Sequence, residues 1–252
     1  MNGGETGVDC GGPCVACGGA CGPSLAAYWP MDESGGPRLD ASGHGMSLDE
    51  TNGLVGTMPG MFGGAAHFTG TSLLSIPPAR FAGSSLDLSA PAITFAGWMR
   101  FDTEVGGQMI GHFRHCVSSH YGLRVTRPPD VIGYGGIEAS VYPSYTTTAP
   151  GTITADGSWH HYAATYDAAS LMLYLDGAQI AVKPYATGSI QNPAIGNIPF
   201  TVGGWIDVNG ECATAVSNTP VHGDIDDLAV FSRRLSPAEI NILMTAGPCA
   251  LP

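Results

Sequence analysis

The sequence predicts an all-β fold, a two-sheet antiparallel sandwich with one short C-terminal helix, and three observations predict it. Glycine and proline are abundant, at 37 and 19 of 252 residues, while charged residues make up only 12 %. Short apolar segments recur at regular spacing between glycine or proline stops, the pattern of antiparallel strands joined by turns. Only one segment, starting at Leu235-Ser236-Pro237-Ala238-Glu239, carries helix-start chemistry, with serine as N-cap and proline at the first helical position.

Taken in order, residues 1–23 are glycine- and cysteine-rich and have almost nothing to bury, so the domain boundary falls there, with the sandwich over 24–252. Ala26–Glu33 reads as the first strand ending in a polar turn, followed by a loop, Leu39–Gly45, rich in oxygen donors. Gly64–Gly70 and Ser72–Pro77 follow as short strands. Ala92–Phe101 is the longest apolar strand, with Ile93, Phe95 and Met99 on one face and Trp98 on the other. Gln108–Phe113, Tyr121–Val125, Val131–Tyr134 and Ile137–Tyr142 continue the series. Ser158–Asp167 is a further strand, and Leu171–Ala181 is a hairpin with Asp176-Gly177 at its tip. Phe200–Trp205 leads into an irregular loop. Ile225–Phe231 closes the domain with two consecutive carboxylates. Uninterrupted alternation places Asp226 with Leu228 and Val230, and Asp227 with Ala229 and Phe231, so one carboxylate is partly buried and requires a partner.

The formal net charge of −12 argues against binding nucleic acid or an anionic membrane. No apolar run is long enough to span a bilayer, and no N-terminal signal segment is present, so the address of a secreted or surface protein is expected to lie outside this chain. Seven cysteines favour an oxidising compartment. Cys10, Cys14, Cys17 and Cys21 lack the long insertion of a zinc ribbon, which favours disulfides over zinc. The odd number is expected if an upstream partner has been lost, or if one cysteine is free and unreactive. Cys116 and Cys212 sit in predicted loops, where a bridge would pin two loops at one rim, and Cys249 is placed to reach an N-terminal cysteine, Cys21 being nearest in sequence.

Three segments, Trp159-His160-His161 to Asp167, Leu173–Gly177, and Gly223–Leu228 with Leu235–Ile240, resemble in order and spacing the laminin-G-like branch of the concanavalin A-like jelly rolls. Tyr28–Asp32, Asp40–Gly43 and Ala66–Phe68 fit as well, so the resemblance covers about residues 25–247. Separately, NGGETGVDCGGPCVAC resembles a short cysteine-rich linker of large exported bacterial proteins. The first resemblance implies a jelly roll with a concave face that binds carbohydrate or protein outside the cell. It also implies one structural calcium ion where the first and last strands meet, with Asp226 a ligand and Asp40 and the Gly45 loop supplying others. The oxygen preference of calcium suits that set. A carbonyl near His67–Gly70 is a further candidate. Alternatively, the two aspartates only end a strand and accept backbone amides.

Some relatives hydrolyse β-glucans with two glutamates about 5–5.5 Å apart on one strand face. That run is absent here, as is the Gly-x-Ser-x-Gly elbow of serine hydrolases. His112, His115 and His120 cluster around Cys116 without the fixed spacing of a metal site. The expectation is therefore a non-catalytic carbohydrate-binding or adhesion module of a larger exported bacterial protein. Its candidate lining is Trp205, Tyr134, Tyr142, Tyr145, Arg114 and Arg124, because sugars stack on aromatic rings and bond to planar polar groups. The alternatives are a glycan-active hydrolase or lyase with an unfamiliar site around Arg114, His120, Tyr121 and Asp207, and an assembly module joining chains through sheet edges.

Overall fold

The computed structural model describes residues 21–101, 107–114, 118–126, 136–142, 144–147, 156–184, 189–190, 198–204 and 221–252. Its strands are β1 (Leu25–Trp29), β2 (Asp49–Thr51), β3 (Gly56–Pro59), β4 (Gly64–Thr69), β5 (Leu73–Ile76), β6 (Ile93–Phe101), β7 (Gly107–Arg114) and β8 (Ser118–Thr126). They continue with β9 (Gly136–Val141), β10 (Ser144–Thr147), β11 (Trp159–Tyr166), β12 (Ser170–Leu175), β13 (Ala178–Pro184), β14 (Phe200–Val202) and β15 (His222–Phe231). A single helical turn, α1 (Pro78–Phe81), follows β5, and α2 (Pro237–Ala246) follows β15.

The strands form two antiparallel sheets. One runs β13-β12-β11-β6-β15-β4-β3, with β1 also paired to β15, and makes eight strands. The other runs β10-β9-β8-β7-β14-β5-β2 and makes seven. The expected segments fall on these strands, save Val131–Tyr134, which lies outside the described residues. Strands β2 and β10 have polar sequences without apolar alternation and carry no signal that periodicity could detect.

Between the sheets lies the main core. The larger sheet contributes Ile93, Phe95, Met99, Phe101, Tyr162 and Tyr166, and the smaller Ile110, Tyr121, Leu123, Ile137 and Val141. Phe200 sits at its centre, with ring contacts to Trp29, Phe81 and Tyr121. The hairpin tip behaves as its sequence requires: Asp176 and Gly177 have φ of 49° and 78°, the paired positive values of a two-residue turn whose twist suits the flanking strands.

A second, smaller core lies on the outer face of the larger sheet, where Ala96, Ala163, Tyr174, Ala229 and Phe231 are covered by Leu235, Ile240 and Leu243 of the α2 segment. Burial of each large side chain there contributes roughly 1.5–3 kcal/mol before entropy is counted. Helix α2 begins with a complete capping box: the Ser236 side chain accepts from the Glu239 amide, and the Glu239 carboxylate accepts from the Ser236 amide. Ser236→Ala is expected to cost about 1 kcal/mol, read as a lower denaturant midpoint at unchanged slope. Cys21 and Cys249 form a disulfide, with Cα atoms 4.5 Å apart, tying the beginning of β1 to the end of α2. Cys10, Cys14, Cys17, Cys116 and Cys212 lie outside the described residues.

Strand β15 departs from simple alternation. Its pairing with β6 shifts between Asp226 and Ala229, and Asp227 has φ of 48°, so a β-bulge interrupts the strand at the two aspartates. Ile225 and Leu228, three apart, therefore both reach the inner core, whereas Asp226 lies opposite Trp98 on the outer side. This corrects the expectation that Asp226 shares a face with Leu228 and Val230.

Candidate functional site

Two regions have polar chemistry that the fold itself does not require. The first is the outer face of the seven-stranded sheet. Because alternate residues of each strand enter the core, the intervening ones form a row read directly from register: Asp49 opposite Ser75, Ser75 opposite Thr201, Thr201 opposite Gly111, Gly111 opposite Gly122, Gly122 opposite Ser140, and Ser140 opposite Tyr145. Small, hydroxyl and glycine residues thus line the middle of the sheet. Ser75, Thr201 and Ser140 are all buried, and the Ser140 hydroxyl has no hydrogen-bond partner among the described residues. A buried hydroxyl without a partner costs free energy unless water or a ligand satisfies it.

Beside this row, Arg124 is paired with Glu138: Nη2 donates to Oε2 at 3.0 Å, while Nε lies 2.8 Å from Oε1 as an ion-pair contact without a hydrogen bond among the described residues. Glu138 is 5 % exposed, while the arginine is half-buried. The ion pair with one hydrogen bond holds the guanidinium beside the buried carboxylate, and the buried Nε keeps an unmet need for an acceptor. Tyr142 lies half-buried in the turn after β9. Arg114 ends β7 opposite Ser118 by backbone register. Tyr134 and Trp205 lie outside the described residues.

The second region is the seam between first and last strands. Asp226 is 0 % exposed; its Oδ2 accepts from the Met61 and Phe62 amides at 2.7 and 3.1 Å, and its Oδ1 has no hydrogen-bond partner among the described residues. Asp227 accepts from the Tyr28 hydroxyl at 2.5 Å, and Asp32 accepts from the Gly64 amide at 2.6 Å. The turn Gly60–Gly63 fits between two of these carboxylates. A Cβ on Gly60 would lie 2.4 Å from Asp226 Oδ2, and one on Gly63 would lie 2.2 Å from Asp32 Oδ1. Only glycine allows that approach, and Gly63, at φ 70°, also has the left-handed backbone that glycine adopts without cost.

Crowding of carboxylates makes the electrostatics unfavourable. Burial, then Asp227 and Asp32, push Asp226 up to about 8, despite the two amides that pull it down. Burial and Asp32 push Asp227 up to about 6 against the opposing pull of the Tyr28 hydroxyl. Burial and the Asp227 charge raise the Tyr28 phenol well above its ordinary range. Asp40, by contrast, is occupied within its own loop: Oδ1 accepts from the Tyr28 and Ser42 amides and Oδ2 from the Met46 amide. Gly45 lies exposed in that loop at φ 73°. Among the described residues no group of three or more His, Cys, Asp or Glu forms a ready ligand set. Nothing in the sequence marks Asp32 or the Met61 and Phe62 amides as neighbours of Asp226, because only the pairing of β1 and β4 with β15 brings them there.

A family model described as the concanavalin A-like lectin/glucanases superfamily, of laminin-G type, matches residues 68–241. The chain belongs to this superfamily. No curated protein matches the sequence. Among solved structures, domain 4 of AbnA, a GH43 extracellular arabinanase from Geobacillus stearothermophilus in complex with arabinotriose, is similar at 18 % identity and a TM-score of 0.59, over 87 % of this chain and 98 % of that one. The binding domain of botulinum neurotoxin DC in complex with SialylT is similar at 12 % identity and TM-score 0.59, over 88 % of this chain and 51 % of that one. A Trypanosoma rangeli sialidase is similar at 14 % identity and TM-score 0.57, over 89 % of this chain and 33 % of that one. The chain thus matches almost the whole of the arabinanase domain but only part of the other two. At these identities the likeness is one of fold. Among the described residues no helix is long and apolar enough to cross a membrane.

Proposed function

We propose that this member of the superfamily is a non-catalytic glycan-binding module, and that it reads carbohydrate on the outer face of the seven-stranded sheet. The observation that carries the reading is the row Ser75, Thr201, Gly111, Gly122, Ser140 beside the Arg124–Glu138 pair. Glycines and hydroxyls leave room for a sugar, the Ser140 hydroxyl awaits a partner, and the ion pair offers planar donors and acceptors in fixed positions. Sugar-bearing structures among the fold neighbours support the same reading. The Cys21–Cys249 bridge supports an oxidising, extracellular setting, and the N-terminal cysteine-rich run supports a place within a larger exported bacterial protein.

A structural calcium ion belongs to the same proposal. Asp226 would hold it through its orphaned Oδ1, Asp32 would supply a second carboxylate across the Gly60–Gly63 turn, and main-chain carbonyls and water would complete the shell, as oxygen-rich calcium sites commonly do. When bound, the ion would neutralise the crowded carboxylates and fasten the termini. Asp40 and the Gly45 loop remain candidates for outer support of the site.

The experiment is a glycan array followed by calorimetry on the wild type and on the Arg124→Gln, Glu138→Gln double variant, which keeps a polar pair but removes its charges. A loss of about tenfold in affinity, roughly 1.4 kcal/mol, at unchanged melting temperature is expected. No reducing ends or unsaturated sugars should form. Undiminished binding by the double variant, or release of a sugar product, would overturn the reading.

A further inference from the structure

The opposite side of the sandwich carries its own polar constellation. Four adjacent strands, β4, β15, β6 and β11, each contribute one residue to a straight row across the outer face of the eight-stranded sheet. His67 lies opposite Asp224, Asp224 opposite Arg100, and Arg100 opposite Trp159. With strands about 4.8 Å apart, the row spans about 14 Å. It lies beyond the end of the face covered by α2, whose buried partners are Ala96, Ala163 and Ala229.

Asp224 is the organiser. Its carboxylate is 3 % exposed and is held on both oxygens: Oδ1 by His67 Nδ1 at 2.7 Å, Oδ2 by Arg100 Nε at 2.8 Å and Nη2 at 2.7 Å. The Arg100 guanidinium also stacks over the Trp159 ring, 5.2 Å from its centroid. A buried carboxylate on one edge and an indole on one face leave this guanidinium little freedom. Its side edge is used, but its terminal fork is not: Nη1 contacts no carboxylate among the described residues, and the side chain is 29 % exposed. His222 lies two residues before Asp224 and so shares this outer face.

A structural ion pair alone would need neither the indole nor the exposed fork. An arginine immobilised on one edge and open on the other is pre-organised for a planar anion, because the side-chain entropy of ordering it has already been lost in folding. The group that matches a guanidinium fork is a carboxylate, bound through two parallel N–H···O bonds. The half-buried Trp159 beside it offers an apolar edge for the C–H surface of a sugar ring, and the imidazoles at the other end of the row offer ring nitrogens to hydroxyls.

We infer that the Arg100–Trp159 end of this row is a second saccharide site, on the sheet opposite the first, selective for a carboxylate-bearing sugar of the uronic acid class. Although the chain carries a net −12, the Arg100 guanidinium locally balances the buried Asp224 carboxylate and keeps its outer fork for an incoming anion. The site requires neither the seven-stranded face nor calcium, so it stands or falls separately from the function proposed above.

The test is titration of the wild-type protein, followed by nitrogen-15 NMR of the tryptophan indoles, with two probes: a uronate trisaccharide and the same trisaccharide with every carboxyl reduced to an alcohol. The uronate is expected to shift the Trp159 indole signal and to bind at least tenfold more tightly than its neutral counterpart. Arg100→Lys keeps a cation against Asp224 but loses the fork, and is expected to weaken uronate binding at least tenfold without lowering the melting temperature by more than a few degrees. Equal affinity for the two probes, an unmoved Trp159 signal, or full affinity in the lysine variant would each overturn the proposal.

Discussion

Calcium at about 10 mM, added to chelator-treated protein, is expected to raise the melting temperature by about 5–10 °C, and Asp226→Asn should abolish that response. An ion binding only the folded state contributes about 2.7 kcal/mol at one hundred times its dissociation constant, and extracellular calcium modules often bind at about 0.1 mM. In a domain of this size each kcal/mol is worth about 2–4 °C. The same substitution has a second, opposite effect without calcium. Asp226 is fully buried with one oxygen unpartnered, and Asp227 and Asp32 repel its charge. Its folded pKa of about 8 lies above the ordinary carboxylate value, so the folded state favours the protonated form. The stability this gives is present below pH 4 and is lost as pH rises toward 8. At neutral pH the metal-free wild type bears that cost and an asparagine does not. The amide can still accept from Met61 and Phe62 through its oxygen while its nitrogen replaces the orphaned oxygen. The metal-free variant should therefore melt above the metal-free wild type, and the order should reverse or close when calcium is added. A calcium shift that survives in the asparagine variant would place any ion elsewhere.

The seam illustrates what could and could not be read from the sequence. The positions of strands along the chain, the hairpin and the helix cap are legible because each depends on residues close in the chain: Asp176-Gly177 imposes its turn, and Ser236 with Glu239 imposes the cap. Asp226 is legible as a carboxylate in need of a partner. Its direction is not, because a bulge changes which residues share a face, and Leu228–Phe231, apolar at every position, hides the change of phase. Asp32 and the Met61 and Phe62 amides belong to segments 194, 165 and 164 residues away, and only the long-range pairing of β1 and β4 with β15 brings them in. The outer face of the seven-stranded sheet was legible in part. Arg124 stood out as a planar polar group, whereas its partner Glu138 and the Ser75–Ser140 row are ordinary residues that gain meaning from register alone. Trp98, which alternation sets on the face opposite Ile93, Phe95 and Met99, lies buried on the outer face of the larger sheet against His161, and Trp159 lies on the same face under Arg100.

Acidification from pH 6.5 to 4 is expected to destabilise the domain through His161, by roughly 3 kcal/mol relative to a variant that cannot titrate there. His161 lies on β11 opposite Trp98, is 1 % exposed, and meets the indole edge-on at 5.2 Å between ring centroids. Its Nδ1 has no hydrogen-bond partner among the described residues. Burial disfavours the imidazolium and lowers the group to about 4, while the Asp176 carboxylate pushes weakly the other way. A folded pKa below the ordinary value of 6.5 means that the unfolded chain takes up the proton first. The stability from the neutral ring is thus fully present above pH 6.5, falls progressively below it, and levels off below pH 4. At about 1.36 kcal/mol per unit, the span from 6.5 to 4 gives the stated size, equivalent to a fall of roughly 6–12 °C. His161→Phe keeps an aromatic edge against Trp98 and removes the proton site. Asp226 titrates with the opposite sign, so both proteins carry Asp226→Asn in this measurement. The melting temperature of the histidine form should drop relative to the phenylalanine form between pH 6.5 and 4, and parallel curves over that range would show that His161 accepts its proton without cost to the fold.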